Sequence, residues 1–328
     1  MAVNGQKKWL DREAGTRHKG SSIGNGRTCC GPIAGYKKNS GVFMRTFFLP
    51  ELGKAGVLTI AHRGARSLAP ENTLKAIQKA HAVGADMCEV DVRLTADDVP
   101  VLIHDKVLER VSNIRDLPEF QNRRSMAVSA LTVEEVMKLD CGSWFLDQDP
   151  FRCIRAGKID AAELAGYRGL PMATLEQVLQ MIKLNGWMIN IELKDVGPKR
   201  NQVLVDRACA LIREMGLARS VLISSLRFEI LEAVRDQGPD FNVAFVDNIV
   251  HPQVLRRLQS IKATAYHPKH TLIRPDLIRT CQGDGIAVNV WTVNRMTDVR
   301  LLQAMGVDGV ITDVPQRMQS LRVVPVAM

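Results

Sequence analysis

The stretch VLTIAHRGARSLAPENTLKAIQKAHAV, residues 57–83, decides how this chain folds. Its first residues, Val57-Leu58-Thr59-Ile60, form a short apolar run with β-branched members, the pattern of a buried strand. Its last part sets Leu74, Ile77, Ala80 and Val83 at helical spacing. Between them lies HRGARSLAPENT, so His62 and Arg63 stand where a strand stops and a loop starts. An open doubly wound sheet would want a glycine-rich phosphate loop at this place. HRGARSLAPENT is not one, and a barrel of βα units builds its chemistry at this edge.

The rest of the chain repeats the unit. Apolar strand patterns recur at Val57–Ala61, Met87–Leu94, Met188–Leu193, Val221–Ser225, Val243–Val246, Ala263–Tyr266, Ile286–Trp291 and Gly309–Thr312. Helical patterns separate most of them, among them TLEQVLQMIKL, NQVLVDRACALIREM, RFEILEAVRD and RMTDVRLLQAM. The expectation is an α/β (β/α)₈ TIM barrel over residues 55–318. One segment breaks the rhythm. Between PVLIH, ending at His104, and the helix near Thr174 lie about seventy residues with one short helical pattern, TVEEVMKL; a stretch that long inside a barrel is usually functional. It reads as an insertion, about residues 106–170, over the barrel mouth after the second barrel strand.

Composition is that of a soluble globular protein, with 46% hydrophobic and 24% charged residues. The net charge of +9 is concentrated at one end: residues 1–43 hold eight Lys and Arg against two Asp and Glu. Little positive charge is left for the body, which argues against a nucleic-acid partner. The same 43 residues lack periodicity and read as a disordered basic tail. Met44, just before the first strand, is a second candidate start for the chain. The seven cysteines form no C-x-x-C pair, so they are expected to be reduced thiols rather than a zinc site. No apolar run is long enough to span a bilayer and no secretory pattern opens the chain. The expected location is the cytoplasm, with no stable membrane insertion.

Ionisable residues gather at the strand ends. In DMCEVDVRL, Glu89 and Asp91 are two apart and share one face of a strand, with Cys88, Val90 and Val92 on the other. In MINIELK, Glu192 and Lys194 repeat the pattern, and VLIHD adds His104. Carboxylates pointing into a barrel are costly unless paired or bound to a cation. An all-oxygen set favours Mg²⁺ or Ca²⁺ over zinc. Arg63 and Lys194 suit an anionic substrate. His62 and His104 supply a general acid and a general base. Taken singly, each residue has an ordinary structural explanation, an ion pair or a turn. Together they supply what phosphodiester cleavage needs.

HRGARSLAPENT, GADMCEVDVRLTADDVPVLIHDKVLER and IELK resemble, in that order, the glycerophosphodiester phosphodiesterase family. LTVEEVMKLDCGSWF, LPMATLEQVL, VLISS, NVWTVN and GVDGVITDVP extend the resemblance over roughly Val57 to Gln316. It implies a TIM barrel with an insertion, one divalent cation, and hydrolysis of a small-molecule glycerophosphodiester to glycerol 3-phosphate and an alcohol. By position it implies His62 and His104 as the acid–base pair, Glu89, Asp91 and Glu192 as metal ligands, and Arg63 and Lys194 as phosphate-binding. Glu71 is implied to bond substrate or order its loop, or else to cap the following helix. Trp291 is implied to wall the glycerol pocket. Two other readings stand beside this one. An apolar groove lined by Trp144, Phe145 and Phe151 would suit lysophospholipase D-like release of a lipid head group. A barrel that binds phosphodiesters without turnover is disfavoured by the complete set of acid–base and carboxylate residues. The sequence departs from the family at Asp97-Asp98, where Asp-Gly is usual, at Val111-Ser112-Asn113 and at Leu226. A non-glycine residue at the tight turn is expected to take a positive φ or to change the turn type.

Overall fold

The structure is a computed structural model that describes residues 57–249 and 251–321. The basic tail over residues 1–43, Met44, and Cys29 and Cys30 lie outside the described residues. Nine strands form one sheet: β1 Leu58–Ala61, β2 Met87–Leu94, β3 Pro100–Leu102, β4 Met188–Leu193, β5 Val221–Ser225, β6 Asn242–Asp247, β7 Ala265–Pro268, β8 Ala287–Val290 and β9 Gly309–Thr312. All neighbours pair in parallel except β3, which folds back antiparallel on β2. β1 pairs with both β2 and β9, so the eight parallel strands close into the expected barrel.

Side-chain alternation sorts each strand between two cores. From β2, Cys88, Val90 and Val92 pack outward among the helices. Met87 turns inward, with Ile60, Leu222, Ala244, Ala265, Ala287 and Ile311. The helices close the outer layer through their apolar stripes. Leu74–Ala82 buries Ala76, Ile77 and Ala80. Leu175–Asn185 begins at a Thr174–Gln177 capping box, ends at left-handed Gly186, and buries Leu175, Val178, Leu179 and Ile182. Each large aliphatic side chain so buried contributes roughly 1.5–3 kcal/mol.

Three details differ from the sequence reading. The sixth barrel strand, β7, begins two residues later than expected, because the Ala263 N–H is taken by the Leu258 carbonyl as the preceding helix closes. His267 therefore falls inside a strand, fully buried. The segment after β3 holds three 3₁₀ turns and three short helices, Val133–Val136, Ser143–Gln148 and Ala161–Ala165. Only the first, four residues long but opened by a Thr132–Glu135 capping box, was legible; the other two lack that box and show no helical period. Ile103, Leu108, Ile114, Phe120, Leu131 and Val136 give this segment its own small core. Lastly, Phe145 is fully buried, edge-on to Trp144 and Tyr167, and so cannot line an open apolar groove. At the tight turn, Asp98 takes φ +61°, the strained option that a missing glycine leaves.

Candidate active site

The turn after β1 brings the site together. Arg63 adopts φ +56° and Gly64 φ +78°. A Cβ on Gly64 would come 2.6 Å from the Ala76 carbonyl carbon, so only glycine lets the helix lie this close to the turn. The strained Arg63 backbone points its N–H at Glu89 Oε2, 2.7 Å away. The four residues Pro70-Glu71-Asn72-Thr73 then divide the work. Thr73 caps the helix by accepting from Ala76 N–H. Asn72, at φ +57°, clasps Asp91 twice, donating to Oδ2 at 2.9 Å and accepting from its N–H at 3.0 Å. Glu71 accepts from Arg63 at 2.8 Å, Arg66 at 2.5 Å and Arg110 at 2.6 Å. Both its oxygens are taken by arginines, so it orders those side chains, and it is Thr73 that caps the helix. Burial pushes the Glu71 carboxyl up, and the three guanidinium groups more than reverse this.

Glu89, Asp91 and Glu192 converge inside the barrel, one oxygen of each lying within 4.8 Å of the others. Register explains it: Glu89 pairs with Asn190 and Asp91 with Glu192 on adjacent parallel strands. Lys194 lies 2.7 Å from Asp91 Oδ1 and also bonds Glu192. Arg63 Nε is 3.2 Å from Asp91 Oδ2. Asp91, buried but flanked by Lys194 and Arg63, is held far below the usual carboxylate range. Glu89 is pushed well up, first by burial and then by the charges of Asp91 and Glu192. Its Oε1 is buried with no hydrogen-bond partner. Three oxygen ligands, one of them under-satisfied and reluctant to carry its charge alone, fit a hard divalent cation.

Each predicted histidine has a carboxylate behind it. His62 Nδ1 lies 2.6 Å from Asp313 Oδ1, and His104 Nδ1 lies 2.7 Å from Asp105 Oδ1. A carboxylate on Nδ1 keeps the proton there and leaves Nε2 for chemistry. Burial raises the Asp313 carboxyl, but His62, Arg66 and Asn294 outweigh it and bring it down to about 2. Burial lowers His104, only partly opposed by Asp91. Arg66 bridges Asp313 to Glu71, and Arg110 bridges Glu71 to Asp105. One chain of contacts thus runs His62–Asp313–Arg66–Glu71–Arg110–Asp105–His104.

The structure joins eight of the predicted residues, His62, Arg63, Glu71, Glu89, Asp91, His104, Glu192 and Lys194, in one polar network. Trp291 stands apart from it. It lies just beyond β8, packs on the inward-facing apolar cluster and donates to the His267 carbonyl at 2.8 Å. Sequence reasoning missed Asp313, Asp105, Asn72, Arg66 and Arg110. Asp105 had a signal, its place beside His104; Asp313 had only its place after the last strand.

Residues 62–317 match the glycerophosphoryl diester phosphodiesterase family. A glycerophosphodiester phosphodiesterase from Caldanaerobacter subterraneus subsp. tengcongensis is 30% identical over 264 residues, 80% of this chain and 97% of that protein. A crystal structure of a Silicibacter pomeroyi protein matches with TM-score 0.71 at 25% identity, covering 81% of this chain and 93% of that one. An Oleispira antarctica phosphodiesterase, solved with its product sn-glycerol-3-phosphate, matches with TM-score 0.66 at 23% identity, over 81% of this chain and 96% of that one.

Proposed function

Because the chain belongs to the glycerophosphoryl diester phosphodiesterase family and is an enzyme that hydrolyses glycerophosphodiesters, we propose that it does so with one divalent cation, Mg²⁺ or Ca²⁺, and a pair of carboxylate-backed histidines. The observation that carries this reading is the meeting of Glu89, Asp91 and Glu192 with Lys194 and Arg63 at one end of the barrel. Held by the three carboxylates, the cation would supply Lewis-acid neutralisation of a phosphoryl oxygen. Arg63 and Lys194 add fixed positive charge where negative charge grows on the phosphorus oxygens. One histidine accepts the proton of the attacking hydroxyl or water through Nε2, and the other donates to the departing alcohol. Asp313 and Asp105 hold the two rings for those transfers. The products are glycerol 3-phosphate and an alcohol. Trp291 offers a flat wall for the glycerol carbons. Glu71 aligns Arg63 and, through Arg110, ties the segment at 106–170 to the mouth. The five described cysteines are all unpaired, which fits a reducing compartment such as the cytoplasm. Among the described residues, no helix is long and apolar enough to cross a membrane.

The test separates cation from acid–base roles. Glu89→Ala, Asp91→Ala and Glu192→Ala should each weaken Mg²⁺ or Ca²⁺ binding in calorimetry and lower turnover of glycerophosphocholine together. His62→Ala and His104→Ala should keep the cation and lose about 10²–10⁴-fold in kcat. A nitrophenyl phosphodiester, whose leaving group needs no proton, should rescue only the variant lacking the general acid. Unchanged cation affinity in all three carboxylate variants, or cation loss in either histidine variant, would refute the assignment.

A further inference from the structure

The floor of the site is unusually polar for a barrel interior. TIM barrels fill their interior with layers of side chains drawn from alternate strands. The registers Glu89↔Asn190, Glu192↔Ser224, Ser224↔Ala244, Val246↔His267 and Asn289↔Gly309 define those layers here. Allowing for the tilt of a closed barrel, Glu89, Ser224, His267 and Ile311 form one layer. Ile60, Asn190, Ala244 and Asn289 form the layer beneath it. Five side-chain atoms in these two layers are buried without a hydrogen bond: Glu89 Oε1, Ser224 Oγ, His267 Nδ1, Asn190 Oδ1 and Asn289 Oδ1. All five residues are at most 4% exposed. Left unmade, each such bond costs roughly 1–3 kcal/mol, so five in two adjacent layers point to a shared partner.

The chemistry of the five atoms selects that partner. His267 and Asn289 bond to each other, His267 Nε2 to Asn289 Nδ2, at 3.1 Å. His267 is fully buried and its imidazole is lowered to about 3, so the ring is neutral. The Asn289 amide therefore donates to Nε2, and Nδ1 carries the proton. If the amide is turned round, the pair still leaves one free donor and one free acceptor. Glu89 Oε1 has a second lone pair besides the one offered to the cation. For the other four atoms, a cation would be repelled by the free donor, and an anion by the amide oxygens. Only a small molecule that both donates and accepts meets the whole set. Ala244 and Ala265 are small, and at Gly309 a Cβ would strike Asn289 Oδ1 at 2.4 Å, so only glycine lets that amide lie against the strand.

We propose that these two layers hold a cluster of ordered water, bonded to Glu89 Oε1, Asn190, Ser224 and the His267–Asn289 pair, and that this water positions the Glu89 carboxylate from below. Asn190 and Ser224 are then positioning residues for the cation site, neighbours in register of Glu89 and Glu192 respectively. This inference rests on the reading of Glu89 as a cation ligand.

Replacement by size tells water from packing. Asn190→Ala leaves space that water can refill, whereas Asn190→Leu fills the same volume with hydrocarbon. A hydrated layer predicts that the full-length Ala variant binds Mg²⁺ or Ca²⁺ within about threefold of wild type, while the Leu variant loses tenfold or more, the usual scale for groups that orient metal ligands. A dry, packed layer predicts the reverse order, as a cavity would cost more than an isosteric hydrocarbon. Ser224→Ala against Ser224→Val repeats the comparison if Asn190→Leu fails to fold. In parallel, ¹⁷O magnetic relaxation dispersion counts long-lived internal waters in the metal-free protein. Fewer such waters in Asn190→Leu or Ser224→Val than in wild type supports the cluster. Equal counts, or a Leu or Val variant that binds the cation as well as wild type, overturns it. Wild-type protein that binds no divalent cation would refute the proposed function instead, and the water count would still decide whether the cluster exists.

Discussion

His62 and Asp313 are 251 residues apart in sequence and 2.6 Å apart in space. The pair is made by barrel closure, when β9 returns to lie beside β1. This explains why the histidine was legible and its carboxylate was not. His62 follows a strand directly, in a loop dense with charged residues, whereas Asp313 in ITDVP looks like an ordinary residue before a turn. The Asp105 partner of His104 was adjacent in sequence, yet adjacency alone could not distinguish a ring-orienting carboxylate from a turn cap. Replacing Asp313 by Asn keeps size and removes the charge. It also removes the carboxylate that keeps the His62 proton on Nδ1 and fixes the ring, on which proton transfer through Nε2 depends in either direction. We expect Asp313→Asn to lower kcat by roughly 10²–10⁴-fold, with cation affinity within about twofold of wild type, since Asp313 touches none of the three carboxylates. Steady-state kinetics and calorimetry on one preparation check this. A variant that loses the cation but keeps kcat at saturating metal would show that Asp313 shapes the metal site rather than the histidine.

At the scale of elements, strands and long helices declared themselves because their periods differ, two residues against three and a half, and each had length enough to show it. The short helices Ser143–Gln148 and Ala161–Ala165 did not. Their place is set by contacts distant in sequence, such as Tyr167 donating to the Leu68 carbonyl at 2.9 Å. The element that matters most for the site is the turn between β1 and its helix. It holds Arg63 at positive φ so that one N–H can reach Glu89, and it relies on Gly64 to admit Ala76 at close range. Gly64→Ala meets two penalties, a Cβ 2.6 Å from a backbone carbon and a side chain at φ +78°. Relief requires the helix to move away and Arg63 to turn with it. The expected loss is on the order of 3 kcal/mol, a fall of roughly 6–12 °C in Tm for a domain of this size. Differential scanning fluorimetry reads the melt, and cation affinity should fall along with it. A Gly64→Ala protein with unchanged Tm would mean that the turn is not under the constraint its geometry describes.

The whole molecule joins a hydrocarbon shell, legible from the alternation of its strands, to a polar interior that was only half legible. The inward faces of β2 and β4 could be read locally. That Ser224, His267 and Asn289 complete the same interior follows only from closure and register, and the expected strand over Ala263–Tyr266 would have left His267 outside it. This interior gives the metal-free protein two opposed dependences on pH. His267 is neutral when folded, with its imidazole lowered from 6.5 to about 3 by burial. Its stabilising contribution is complete above pH 6.5 and is lost as pH falls toward 3, by up to about 1.4 kcal/mol per pH unit. Glu89 is the reverse case, raised well above 4.5 by burial and then by Asp91 and Glu192. Its contribution is complete below pH 4.5 and is lost as pH climbs through its raised folded value. The metal-free protein should therefore melt highest at mildly acidic pH and lose Tm on both sides. A divalent cation binds the charged form of Glu89, so saturating Mg²⁺ or Ca²⁺ should flatten the alkaline side and leave the acid side in place. Glu89→Gln removes the buried charge, and its metal-free alkaline limb should be shallower than that of wild type. Melting curves between pH 4 and 9, with and without cation, contain the whole test. Parallel profiles with and without metal above pH 6 would show that no cation takes up the charge of Glu89.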